Sequence, residues 1–170
     1  MHEYQIKLPM RYVPKSLTVS DKNKQIKQLS ISKQLYKKGR FYTRTKMGSY
    51  KNKQSKHIIN ARKIYNIKNI TPNKELARAT GCSLQALKKI VNKGAGAYYS
   101  SGSRPNQTAI SWGLARLASS ITAGKSATID YDILNKGCDH NKPAFRFAKK
   151  SIRKYGTGHS KTKKYIFYKK

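Results

Sequence analysis

The chain has 170 residues, with 38 Lys and Arg against 6 Asp and Glu, a formal net charge of +32. That length suits one domain with a real core. The charge excludes an ordinary enzyme surface, because self-repulsion on this scale opposes compaction until a polyanion or an acidic protein surface neutralises it.

Nucleic acid is the first partner such a chain implies, DNA before RNA, since phosphates bind spread cations by counterion release without any sequence reading. An acidic protein lattice and an anionic membrane surface are the alternatives. No apolar run approaches the roughly 18 residues of a membrane span. The start, "MHEYQIKLPMRYVPK", lacks the apolar stretch of a signal peptide. Cys82 and Cys138 are the only cysteines, so no disulfide framework is expected and a reducing compartment fits better.

Residues 1–17 read as an extended arm, because Pro9 and Pro14 disfavour helix at the residues before them. Thr18-Val19-Ser20-Asp21 has the spacing of a capping box and opens a first helix, with Val19, Ile26 and Leu29 as its buried stripe. "SKQLYKKG" reads as a second short helix ended by Gly39. "RFYTRTKMGSYKNKQSK" reads as a basic loop or hairpin. In "KHIINARKIYNIK", Ile58, Ala61 and Tyr65 share one helical face, and Thr71-Pro72 has the chemistry of a helix start.

Two short helices about Gly81 follow, with Leu76, Leu84, Leu87 and Ile90 apolar. This fits a helix-turn-helix pattern in which Ser83 caps the second helix and Gln85, Lys88 and Lys89 face DNA. Any packed pair of short helices with a glycine turn has the same pattern, so both readings stand.

The stretch "KGAGAYYSSGSRPNQTAISWGLARLAS" is the most unusual. Its glycines and proline predict a tight loop over 93–108. Thr108 then caps a helix whose apolar stripe is Ile110, Leu114, Leu117, Ala118 and Ile121, with Gly113 small enough for close helix contact. Three functions compete for the loop. In the structural one, Tyr98, Tyr99 and Trp112 fill the core, Gly102 and Pro105 shape the turn, and Arg104 and Asn106 hold loop carbonyls. In an anion-binding one, Arg104, Ser101 and Ser103 hold a phosphate at the helix N-terminus. A catalytic one lacks a nearby base, since only Asp130 or Asp132 could be brought in by folding.

Gly124-Lys125-Ser126 lacks the upstream glycine and strand of a phosphate loop. Cys138 and His140 have no second ligand pair at zinc spacing. Neither a metal nor a cofactor is expected. A last ordered element starts at Asp130 and ends at Gly137. The remainder, 140–170, reads as a basic tail with Arg146, Lys149, Lys150, Arg153 and Lys154 as anion-binding candidates. Phe145, Phe147, Tyr155, Tyr165, Phe167 and Tyr168 are interleaved there, to stack on bases or dock on a neighbour. Arm and tail are both expected to order only against partners.

"GAYYSSGSRPNQT" with the following "SWGLARLAS", "TAGK" and "IDYDIL", together with "RYVPKSLTVSDKNKQIKQL", resembles the signature of an uncharacterised family of small basic proteins of large DNA viruses and tailed phages. Most of residues 40–70 and the tail beyond Asp139 fall outside that resemblance. It implies a viral origin and transfers no functional residue.

The expected fold is mainly α: a single compact domain of short helices over 18–139, with an extended arm at 1–17 and a tail at 140–170. Any strands should be short, in 40–50 or in the final "KKYIFYKK". The expected function is that of a non-enzymatic virion protein, a minor capsid or core component in contact with packaged nucleic acid, acidic capsid surfaces and other virion proteins. It would reside in the virion, and in the host cytoplasm or nucleus during assembly. The alternative is a helix-turn-helix-like DNA-binding protein acting in the infected cell.

Overall fold

The computed structural model describes residues 5–158 and 162–168; the parts of the expected arm and tail at 1–4, 159–161 and 169–170 lie outside them. The protein is mainly helical, as expected. Its described residues group into two compact units, one drawn from 5–53, 95–109 and 162–168, the other from 54–94 and 110–158.

In the first unit, β1 (Gln5–Pro9) and β2 (Lys164–Tyr168) form an antiparallel pair, with Ile6 opposite Phe167 and Leu8 opposite Tyr165. Alternation along each strand turns Ile6, Leu8 and Phe167 inward. The closing "KYIFY" was the expected place for a strand; its partner is β1, and 40–50 has no strand. Beyond β1, Tyr12, Val13 and Leu17 are also buried. The N-terminal segment is extended but packed, which corrects the expectation of an arm that waits for a partner.

Helix α1 (Val19–Lys37) starts where the capping box put it, with Thr18 Oγ1 accepting from Asp21 N at 3.3 Å. It runs as one helix, because no Gly or Pro interrupts it before Gly39. Ile26 and Leu29 are buried, but Val19 is 77 % exposed, nearly two turns before the covered face begins at Gln25. The buried stripe is partly polar. Gln25 Nε2 donates to Tyr12 O, and Gln28 both donates to Thr45 Oγ1 and accepts from Thr45 N. These bonds remove the cost of burying the two amides.

The second unit holds α2 (Lys56–Tyr65), α3 (Lys74–Thr80), most of α4 (Leu84–Ser100), nearly all of α5 (Ala109–Ser120), α6 (Ser126–Ile129), α7 (Tyr131–Gly137) and α8 (Pro143–Tyr155). Ala61, Leu76, Leu87, Ile90, Leu117 and Phe145 belong to its core, and Ile58 and Tyr65 pack against it as their spacing predicts. Helix α3 is capped by Asn73, whose Oδ1 accepts from Leu76 N, and not by Thr71. Thr71 instead accepts from Asn73 Nδ2 and so braces the cap.

Three expectations fail here. The loop over 93–108 is shorter, because α4 continues through "KGAGAYYS". Two of those glycines had suggested a turn, but Gly94 serves close packing: a Cβ there would lie 2.7 Å from Gly113 Cα, and one at Gly113 2.5 Å from Val91 O. Ile110 is 60 % exposed at the start of α5, while Leu117, Ala118 and Ile121 are buried. Residues 140–155 are not a free tail. Pro143 opens α8, whose Ala144, Phe145, Ala148 and Ser151 are buried.

The cysteines also correct the sequence reading. Cys82 and Cys138 are joined by a disulfide across an isolated antiparallel bridge, their Cα atoms 3.9 Å apart. Ser83 N donates to Gly137 O at 2.7 Å and Asp139 N to Gly81 O at 2.8 Å, so the backbone itself brings the two residues together. Closing a loop with sequence separation 56 stabilises by about 4 kcal/mol in the chain-entropy picture.

Candidate functional site

The tyrosine-serine loop is built around a residue the sequence did not single out. Arg44 is buried, and among the described residues no carboxylate pairs with it. Its Nη1 donates to Ser32 Oγ and Tyr98 O, both at 2.9 Å, and its Nη2 donates to Ser103 Oγ at 2.8 Å. The guanidinium lies 3.8 Å from the Tyr98 ring centroid, which adds a cation–π contact. Burial lowers its pKa, opposed by the Tyr98 and Tyr12 phenols, but a guanidinium starts so far above neutrality that it remains charged.

Asn106 completes the clasp. Its Nδ2 donates to Met47 O and Tyr50 O, and its Oδ1 accepts from Met47 N at 2.6 Å. Gly102 has φ +100°, and a Cβ there would meet Leu29 Cδ2 at 2.8 Å, so the turn admits no side chain. Pro105 is buried beside it in the chain.

The anion cradle is therefore not assembled as expected. Ser103 is fully buried and spends its hydroxyl on Arg44 and on Arg104 O, while Ser101 and Arg104 are exposed. The carbonyl-holding role belongs to Asn106 and Arg44, not to Arg104. Of the three aromatics expected in the core, Tyr98 is buried; Tyr99 and Trp112 are half-buried.

Asp130, the base considered for a catalytic loop, is committed elsewhere. Arg116 binds it through two bonds of 2.9 and 2.7 Å, Lys93 Nζ lies 3.3 Å away, and Ser120 Oγ donates to it at 2.7 Å. It is a buried structural carboxylate with its charge compensated.

For the helix-turn-helix reading, Gly81 does form the turn and Ser83 Oγ does accept from Ala86 N at 3.1 Å. Gln85, Lys88 and Lys89 are exposed on α4. Gln85 and Lys89, however, line a shallow cleft with Asp132, Ile133 and Lys136. Lys89 and Lys136 face a single acid there, Asp132, so the charge of the cleft is mixed.

Helix α8 is different. Arg146, Lys149, Lys150, Arg153 and Lys154 recur every three or four residues and are all exposed, opposite the buried Ala144, Phe145, Ala148 and Ser151. The stripe runs about 12 Å along the helix at 1.5 Å per residue. None of the five forms an ion pair among the described residues. The opposite face is firmly held: Ser151 Oγ donates to Gly124 O at 2.7 Å, and the His140 ring stacks on Phe145 at 3.8 Å. Lys149 lies 5.1 Å from the Phe145 ring, and Lys154 lies 5.2 Å from that of Tyr155. Phe145 and Phe167, expected to stack on bases or dock on a neighbour, are instead buried within the chain.

Residues 9–143 match the pattern of a family of unknown function (DUF5824). The chain belongs to that family. The match takes in the Arg44 clasp, the disulfide and residues 40–70, and it ends where α8 begins. The clasp lies within the family's shared stretch, and the cationic stripe beyond it. No curated protein and no solved structure is significantly similar to the chain. Among the described residues, no helix is long and apolar enough to cross a membrane.

Nothing local in the chain points to Arg44, whose bonding partners lie 12, 54 and 59 residues away. The one available signal was the absence of acids from a loop rich in hydroxyls and carbonyls, the groups that can solvate a buried cation.

Proposed function

We propose that the protein is a non-enzymatic nucleic-acid-binding component of a virus particle that grips the phosphate backbone of packaged DNA through the exposed face of α8. The observation that carries this reading is the stripe of Arg146, Lys149, Lys150, Arg153 and Lys154, free of ion pairs among the described residues, on a helix whose other face is anchored in a core. Cations held in register on a packed helix lose less entropy on meeting phosphates than cations on a loose tail. The virion assignment is supported by the +32 charge, which a packaged polyanion would neutralise, and by the viral resemblance of the "YYSSGSRPNQT" stretch.

Binding to a random-sequence DNA duplex should weaken steeply with salt. The five α8 cations alone contribute a slope of about −4 to −5 in log K against log salt. Replacing Lys149, Lys150, Arg153 and Lys154 by Gln should reduce that slope by about 4 with no loss of helix content, because all four side chains are in solvent. An unchanged slope would remove α8 from the interface. For the particle assignment, quantitative mass spectrometry of purified virions should find the protein as a stoichiometric component; its absence from particles would refute that role.

A further inference from the structure

The first unit carries a cluster of aromatic rings that its own packing does not cover. Phe41 is 71 % exposed and Tyr36 37 % exposed. Phe41 lies 5.0 Å from Tyr99 and 6.1 Å from Tyr36, and the Tyr36 and Tyr99 rings are stacked 6.5 Å apart with planes within 5°. The backbone about Phe41 is tied on both sides. Arg40 N donates to Leu35 O at 2.9 Å, and Arg44 N donates to Tyr98 Oη at 3.2 Å. The rings are thus held in place before any ligand arrives, and the Arg44 clasp supplies part of that rigidity.

The electrostatic surroundings name the ligand. Lys33, Lys37, Lys38 and Arg40, next to these rings in the chain, are all exposed. Asp21 is the one acid among the described residues of this unit, and its Oδ2 is taken by Ser49 N at 2.8 Å and Ser49 Oγ at 2.6 Å. An acid-free aromatic surface rimmed by cations matches unpaired bases joined by phosphates. A duplex hides the faces of its bases, whereas a single strand offers them.

We infer that Phe41, with Tyr36 and Tyr99 behind it, is a stacking platform for a base of single-stranded nucleic acid. This rests on the preceding reading only in taking nucleic acid as the ligand. It adds a second mode of contact, through bases and not phosphates, carried by different residues.

The test compares a short oligothymidylate, the same backbone without bases, and a duplex at one salt concentration. Phe41→Ala should weaken binding of the oligothymidylate by about ten-fold, the stacking of one base, and leave the abasic strand and the duplex unchanged. Phe41→Trp should restore the oligothymidylate affinity. Equal losses on all three ligands, or no loss on any, overturn the platform. So does a Phe41→Ala protein that differs only in having lost self-association, which would assign the rings to a second copy of the chain. The α8 glutamine variant separates the two readings. If it spares duplex binding while Phe41→Ala selectively impairs single-strand binding, the platform stands and the α8 reading falls; the converse pattern removes the platform alone.

Discussion

Asp130 and Arg44 are both withdrawn from water, one in each unit, and the partners that surround them have little in common. Asp130 is held by opposite charge, a bidentate arginine and a lysine, with a serine hydroxyl in support. Arg44 is held by two hydroxyls, a carbonyl and the face of a ring. In a chain with six acids, carboxylates are too scarce to pair every buried cation. The "YYSSGSRPNQT" stretch provides neutral acceptors in their place. A loop that looks like an active site, dense in hydroxyls beside arginine, is here the solvation shell of a buried cation.

If charge compensation is the stronger device, removing Asp130 should cost more than altering Arg44. Asp130→Ala leaves Arg116 without its partner and should lower unfolding stability by about 3–5 kcal/mol, measured by urea denaturation. Arg44→Lys keeps the charge but loses the fork that reaches three acceptors, and should cost about 2 kcal/mol. An Arg44→Lys loss larger than that of Asp130→Ala would reverse the ranking and make the neutral cage the more demanding construction.

The smallest effect concerns Asp21, the half-buried carboxylate of the first unit. Hydrogen bonds from the Ser49 hydroxyl and backbone N–H hold its pKa below the ordinary carboxylate value. A carboxyl whose folded pKa lies below its unfolded one stabilises above the unfolded value, and that contribution disappears as pH falls through the folded value. The stability difference between the parent and Asp21→Asn should therefore be constant near neutrality and shrink below about pH 4. A difference that grows on acidification would contradict the assignment.

Local chemistry was readable in the sequence. The Thr18 cap, the Ile58–Ala61–Tyr65 face, the Gly81 turn with its Ser83 cap and the final strand all depend on residues close together in the chain, where spacing carries the information. What escaped depended on distance or on small side chains. Helix α8 buries Ala144, Ala148 and Ser151 with just one large apolar residue, Phe145, so its covered face hardly registers as hydrophobic against its lysines. Gly94 resembled a turn residue until the close approach of two backbones gave it another purpose, whereas Gly113 was expected to serve close helix contact and does. The disulfide was missed because scarce cysteines suggested reduced thiols. Each cysteine does follow a glycine, but nothing in that pattern pairs residues so far apart. Of the candidate surfaces, the α8 cations were identified residue by residue. Phe41 passed as part of a basic loop, since exposure of a ring is a property of packing.

The Cys82–Cys138 bond makes a covalent ring of the chain from 82 to 138, with α4, α5, α6 and α7 wholly inside it. A protease that nicks the backbone anywhere between those two cysteines will not release a fragment. The nicked molecule will migrate intact on a non-reducing gel and separate into two pieces once a thiol is added.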